Sequence, residues 1–335
     1  MKASHVVRSR QGKRRRKQNE EGSVAKADSS SLRMGKPRGR KRTGFRESTG
    51  GRQAFAFATN HWTCRHSPSL SLRNAFLLRG MGKLHHLDVG CSDASIIATQ
   101  TATFLIDCHN IDEFHHLLPA SKKLRGVFVT HQHRDHYSGL EYLYDEGFEI
   151  GYLIYSPYQR RYGDLSVKLD EWSDFISLRD AFMEKGTDIR APFRQESFKE
   201  AWWKTDGISF WILGPYEDIA TSVTRELHDA CLVITTVLGE RRCVFTGDSS
   251  DTSLSKIAAN TTHISDDILH ASHHGSINGA DLSFIQSCNP NYTMISTKPG
   301  CYPNIPHPTA LQRYANNTRT RVYRTDEDGS LTWTF

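Results

Sequence analysis

The sequence predicts an α/β fold of two packed sheets with helices on the outside, and three observations carry that expectation. Short runs rich in Val, Ile, Thr and aromatic residues recur from Met81 onward, helical stretches fall between them, and nothing repeats at a period of 20–50 residues. The strand runs cover 84–89, 95–99, 103–108, 126–130, 152–155, 208–213, 231–237, 242–246, 268–272, 292–296, 321–324 and 331–335. Helices are expected at 111–118, 137–145, 175–184, 254–260, 282–286 and 309–315. Strands early and late, with helices interspersed, call for two sheets rather than one. The stretch from 81 to 335 is within the length of a single large domain of this kind.

The composition, 37% hydrophobic and 24% charged over 335 residues, excludes fibrous, membrane and wholly disordered classes. The net charge of +6 is unevenly divided. Residues 1–80 hold 20 Lys and Arg against 4 Asp and Glu, whereas 81–335 hold 23 against 33. The first segment, with Lys13-Arg14-Arg15-Arg16-Lys17, has few apolar residues and no strand or helix period before about Phe55. It cannot bury enough surface to offset its chain entropy, so 1–80 is expected to be a disordered basic tail. A nuclear-localisation or nucleic-acid patch, and translation from Met81, are two further readings of the same residues. No run reaches the roughly 18 apolar residues that span a bilayer, and no secretory signal follows the basic start, so a cytoplasmic protein is expected. Seven scattered cysteines without a CxxC pair read as buried thiols rather than disulfides or a thiolate zinc site.

The chemistry begins at His131-Gln132-His133-Arg134-Asp135-His136, directly after the apolar run Gly126-Val-Phe-Val-Thr130. Three imidazoles and a carboxylate in six residues are more titratable groups than a tight turn holds for packing. Metal explains them economically. Residues two apart in an extended turn point the same way, so His131 and His133 can share one ion. Asp135 and His136, displaced by the turn into the next helix, reach a second. Such donors suit zinc, manganese or iron.

Further candidates stand at strand ends. Asp248, in Val244-Phe-Thr-Gly-Asp248, offers a carboxylate of the kind that bridges two cations. His228 precedes the strand expected to pair with that one; as a bland alternative it is a surface histidine. Ile268-Leu-His-Ala-Ser-His273-His274-Gly275-Ser276 places paired histidines after a strand, with His270 inside it as a structural residue. His307 lies between Pro306 and Pro308, whose restricted backbone suits a ligand, although an exposed proline-rich turn fits as well.

Leu87-Asp-Val-Gly90-Cys-Ser-Asp93, Phe104-Leu-Ile-Asp107, HxHxDH, Phe245-Thr-Gly-Asp248, His273-His-Gly-Ser276, Pro306-His307-Pro308 and Tyr323-Arg-Thr-Asp326-Glu-Asp-Gly329 occur in this order. Together they resemble metallo-β-lactamase-fold hydrolases, and more narrowly the ComEC-type competence-protein hydrolase domain without its membrane channel. The resemblance covers about 83–335. It implies a four-layer αββα sandwich with two divalent metal ions, Zn or Mn. Carried over, His131, His133 and His228 hold one ion, Asp135, His136 and His307 the other, and Asp248 bridges them. His273 or His274 then stands just outside, binding a phosphate oxygen or donating a proton to the leaving group; a competing carry-over makes His273 a ligand in place of His307. The chain departs from the family at Gly90-Cys91-Ser92-Asp93 and at Asp107-Cys108-His109, where glycines are usual.

The implied activity is a di-metal hydrolase, a phosphodiesterase or nuclease acting through a metal-activated hydroxide, with Asp135 orienting or deprotonating the water. Single-stranded nucleic acid and a small phosphodiester are both candidate substrates. Trp202 and Trp203, with Arg160, Arg161 and Arg194 nearby in sequence, read either as a base-stacking surface or as part of a helix packed on the sheet. A hydrolase of amides or lactones on the same scaffold is the alternative.

Overall fold

The computed structural model describes residues 82–335 except 263, 265, 266 and 301; the expected basic tail at 1–80 lies outside the described residues. Two seven-stranded mixed sheets make up its centre. The first contains β1 (Lys83–His86), β2 (Ala94–Ala98), β3 (Thr103–Cys108), β4 (Lys123–Val129), β5 (Glu149–Tyr155) and β6 (Asp188–Arg190). The second contains β7 (Trp203–Thr205), β8 (Ile208–Gly214), β9 (Val233–Leu238), β10 (Arg241–Phe245), β11 (Ile268–His270), β12 (Tyr292–Ile295) and β13 (Arg321–Arg324). The last strand, β14 (Leu331–Thr334), returns to the first sheet and pairs antiparallel with β1. In each sheet an antiparallel half gives way to a parallel half, at β3 in one and at β10 in the other.

Alternation along the strands produces the four layers. Phe104, Ile106, Phe128 and Ile154 face Phe210, Ile234, Phe245 and Ile268 between the sheets, all but fully buried. Their sequence neighbours point outward. Leu105, Val127 and Val129 pack under α1 (Arg134–Tyr137), α2 (Gly139–Asp145) and α3 (Leu169–Glu184) through Tyr137, Leu140, Phe175 and Phe182. Val233, Val244 and Leu269 are covered by α5 (Asp251–Asn260), α6 (Leu282–Cys288) and α7 (Pro308–Asn317), while the short α4 (Glu217–Ala220) and α8 (Thr325–Asp328) occupy connections. Residues of period two facing alternately a partner sheet and a helix layer are what a doubly covered sheet requires. The chain is thus a four-layer αββα sandwich. Among the described residues no helix is long and apolar enough to cross a membrane.

Differences from the sequence expectation have local causes. β6 and β7 are three-residue edge strands, too short for an alternation to register. Trp203 lies in β7 and enters the inter-sheet core, stacked on Phe210 at 5.6 Å and edge-on to Phe104 at 5.5 Å. It fits because Gly126 has no side chain: a Cβ there would come within 2.8 Å of the indole. Trp202 packs against the same cluster, so the pair belongs neither to a helix nor to an exposed stacking surface. Arg160, Arg161 and Arg194 are engaged by backbone carbonyls, Arg161 by those of Thr221 and Ser222. The single helix expected at 137–145 is divided at Ser138, and Gly139 there approaches the Cys108 carbonyl so closely that a Cβ would lie 1.8 Å from it.

Phe128 is fully buried where the two sheets meet. Phe128→Ala is expected to lower unfolding free energy by about 3–5 kcal/mol, read from the urea midpoint at constant m.

Candidate metal centre

Ligands for a metal gather where the parallel strands of both sheets end, the side on which open α/β sheets leave a crevice. β4 runs into His131 and His133; His133 is extended, at φ −82° and ψ 146°, and the helix begins at Arg134. The change from extended to helical backbone separates the two histidines from Asp135 and His136. From the other sheet, β10 leads through Gly247 to Asp248, and β11 leads to His273 and His274. Gly247 has φ +47°, and a Cβ there would meet Thr130 Oγ1 at 2.4 Å, so glycine lets the two strand ends approach. His273 and His274 are both left-handed, at φ 53° and 54°. That is uncommon backbone for side-chain-bearing residues and is held by the His273 N–H on the Gly247 carbonyl at 3.1 Å.

Two sets of donor atoms converge. His131, His133, His228 and Asp248 form one, and Asp135, His136 and His274 form another. Asp248 faces both through different oxygens. Its Oδ2 is 3.8 Å from His131 Nε2 and from His228 Nε2, while its Oδ1 is 3.5 Å from His136 Nε2 and 3.6 Å from His274 Nε2. These separations exceed hydrogen-bond length, yet a tetrahedral ion with bonds of about 2.0–2.2 Å sets its ligand atoms roughly 3.3–3.6 Å apart. Asp248 Oδ1, His136 Nε2 and both ring nitrogens of His274 are buried without a hydrogen-bond partner. Of these, His136 Nε2 and His274 Nε2 lie within 3.6 Å of Asp248 Oδ1, and such orphaned polar atoms fit a cation between them.

The outer ring nitrogens are held by other groups. His133 Nε2 donates to the Ser166 carbonyl at 2.8 Å, which leaves a lone pair on Nδ1 toward His131 and His228. His136 Nδ1 donates to Asp107 Oδ2 at 2.8 Å, and Asp107 also accepts the Thr130 N–H and hydroxyl, each at 2.7 Å. Asp93 accepts His270 Nε2 on Oδ1 at 2.9 Å and keeps Oδ2 unpartnered, 3.7 Å from His136. Such partners fix ring orientation in metal sites. Asp93, Asp107 and Ser166 have these roles although the sequence marked none of them as a site residue. For the two aspartates the available signal was their place in the ordered motifs that carry the resemblance, each a carboxylate at the edge of a buried strand.

Electrostatics agree with the donor set. Burial disfavours the Asp248 anion, but His274, His136 and His273 outweigh it and hold the carboxyl well below its usual range. Burial, then His136, pushes His131 down; burial pushes His228 to about 3 despite Asp248. Both are therefore neutral, the form of imidazole that binds metal. Burial also opposes charge on His136, yet Asp248 and Asp107 raise it well above the ordinary value.

His307 is in neither set. Its Nδ1 accepts the Thr309 N–H at 3.1 Å and caps α7, and His274 completes the group expected to hold it. His273 stands at the rim beside His228, with ring centroids 4.5 Å apart and its Nε2 3.9 Å from Asp248 Oδ2. A cleft of about 850 Å³ opens from His133 and Asp135 and is also lined by His109 and Ser138, which are bonded at 2.8 Å.

No protein-family model and no curated protein matches this chain. Solved structures similar to it include the metallo-β-lactamase-fold protein YhfI of Bacillus subtilis, 13% identical, with a TM-score of 0.48 and covering 76% of this chain and 100% of that one. The diiron β-hydroxylase CmlA of Streptomyces venezuelae is 14% identical, with a TM-score of 0.49 over 76% of this chain and 54% of its own, so the match spans about half of CmlA. The short form of human tRNase Z is 13% identical, with a TM-score of 0.40 over 64% and 92%. The likeness is one of fold.

Two equivalents of zinc or manganese are expected by calorimetry and elemental analysis, falling toward one in His274→Ala and staying at two in His307→Ala. Two equivalents in His274→Ala would show that this residue is dispensable to the centre. A separate expectation concerns His86, fully buried between Ser95 and Ser296 and pushed down to about 3 by burial and His270. The unfolded chain takes up its proton near pH 6.5 and the folded chain does not. Metal-free protein should lose up to about 1.4 kcal/mol per pH unit from this group as pH falls below 6.5. His86→Gln should flatten that slope in denaturant titrations.

Proposed function

We propose that this protein is a di-metal-dependent phosphodiesterase, a relative of the ComEC-type hydrolase domain whose working unit is 81–335. The observation that carries the reading is the division of the two Asp248 oxygens between two converging donor sets. His131, His133, His228 and Asp248 Oδ2 would hold one ion, and Asp135, His136, His274 and Asp248 Oδ1 the other. When bound, two divalent ions, Zn or Mn, acidify water and screen charge at a phosphorus under attack. Asp135, partly exposed and lining the cleft, would orient that water and accept its proton. His273, outside both sets, would donate a hydrogen bond from a ring N–H to a phosphate oxygen. His109 on the cleft wall adds a second imidazole outside the sets. A phosphodiester, with two non-bridging oxygens, uses both flanks; an amide or lactone carbonyl needs one.

Metal-loaded protein is expected to hydrolyse bis-p-nitrophenyl phosphate and to leave nitrocefin intact. Asp135→Asn and Asp248→Asn should each lower kcat at least about a hundredfold. Turnover of nitrocefin with neither bis-p-nitrophenyl phosphate nor single-stranded DNA cleaved would replace the reading by the carbon-substrate alternative.

A further inference from the structure

We infer that the substrate is a small amphiphilic phosphodiester whose apolar group docks on a lip of exposed side chains at the mouth of the metal cleft; this rests on the phosphodiesterase reading. Of the seven exposed large apolar side chains among the described residues, five stand at this end of the molecule, four on loops and Leu169 at the first residue of α3. Leu165 and Tyr302 line the cleft together with His133 and Asp135. Tyr162 precedes Leu165 on the same loop, Leu169 follows it as the first residue of α3, and Val223 is on a loop tied to the first by the Arg161 guanidinium, bonded to the Thr221 and Ser222 carbonyls at 2.7 and 3.0 Å. Concentrated exposed apolar surface marks a place where something binds.

The lip is held outward by its own loop. Asp164 Oδ1 accepts the Ser166 N–H at 3.0 Å and the Ser166 hydroxyl at 2.7 Å, and Arg160 grips the Asp164 carbonyl at 2.9 Å. Leu227 N–H bonds Ser166 Oγ at 3.1 Å, fixing the loop to the segment that carries His228. Leu165, 94% exposed, is therefore presented to solvent by a pinned backbone instead of turning under. The next residue, Ser166, is the one whose carbonyl orients His133. The apolar contact and the metal centre thus share one structural support, which commits the occupant of the lip to the molecule whose phosphate lies at the metals.

Charge on the cleft wall argues against a nucleic-acid strand. Arg134 is paired with Asp174 at 2.9 Å and Glu141 at 3.6 Å, and Lys168 with Glu171 at 3.2 Å. Asp112 and Asp145 line the same wall. A strand needs successive cations for successive phosphates. A single phosphodiester is neutralised at the metals, and its remaining bulk meets Leu165.

Full-length metal-loaded protein is titrated calorimetrically with methyl-, butyl- and octylphosphonate, which share a head and differ in apolar length. Affinity is expected to rise at least about tenfold along the series, and the gain to fall below about threefold in L165S/L169S with methylphosphonate binding unchanged. Equal affinities along the series, an undiminished gain in the variant, or displacement of octylphosphonate by an oligothymidylate would each overturn the inference. Failure of the phosphodiesterase reading registers separately, as absent turnover of bis-p-nitrophenyl phosphate with the calorimetric series intact.

Discussion

The Asp248 carboxylate is buried, and five imidazoles lie within 3.9 Å of it: His131, His136, His228, His273 and His274. An isolated buried anion is costly, and surrounding it with neutral rings leaves that cost unmet. Protonating all five would only exchange it for repulsion among cations. Burial keeps His131 and His228 neutral while His136 is pulled toward its charged form, so the protein alone has no arrangement that satisfies every group. Divalent ions between the two sets would resolve the conflict, because each would bring concentrated charge to the lone pairs of the donor groups. Everything else around the centre keeps those lone pairs in place.

Rigidity comes from the paired sheets. Each changes from antiparallel to parallel pairing at one strand, β3 or β10, and the strand ends beyond that change carry Asp107, His131 and His133 on one side and Asp248, His273 and His274 on the other. Phe104, Phe128, Phe210 and Phe245 fill the space between the sheets and fix the separation of those ends. The close approach of Gly247 to Thr130 then determines how near the two groups of ligands come. Core packing and ligand spacing are in this way one constraint.

A polar layer lies beneath the ligands. Asp107 orients His136, the Ser166 carbonyl orients His133, and the His270–Asp93 pair joins the two sheets beside the second donor set. His86 and Ser296 continue that layer into the interior. Buried histidines in such numbers are tolerated because most of these rings have a partner, the unpartnered ring nitrogens among the described residues being those of His136 and His274 in the second donor set. The loop that supplies Ser166 also carries Leu165, so ring orientation and the apolar lip depend on the same short segment.

Much of this was legible in the chain. The run from His131 to His136 states its chemistry through composition, and the apolar runs at 103–108 and 208–213 state where buried strands lie. The short edge strands β6 and β7 escaped because three residues hold too little alternation, and Trp203 was obscured because its partners at Phe104, Phe210 and Gly126 are remote in sequence. By itself the sequence determined the class of fold and which residue types could hold metal, since both follow from local periodicity and composition. Only the tertiary structure decided that His274 rather than His307 joins Asp135 and His136, and that Asp248 turns one oxygen to each set. Those choices depend on how far apart two sheets hold their strand ends, a distance set by side chains packed between them and written at no single place in the chain.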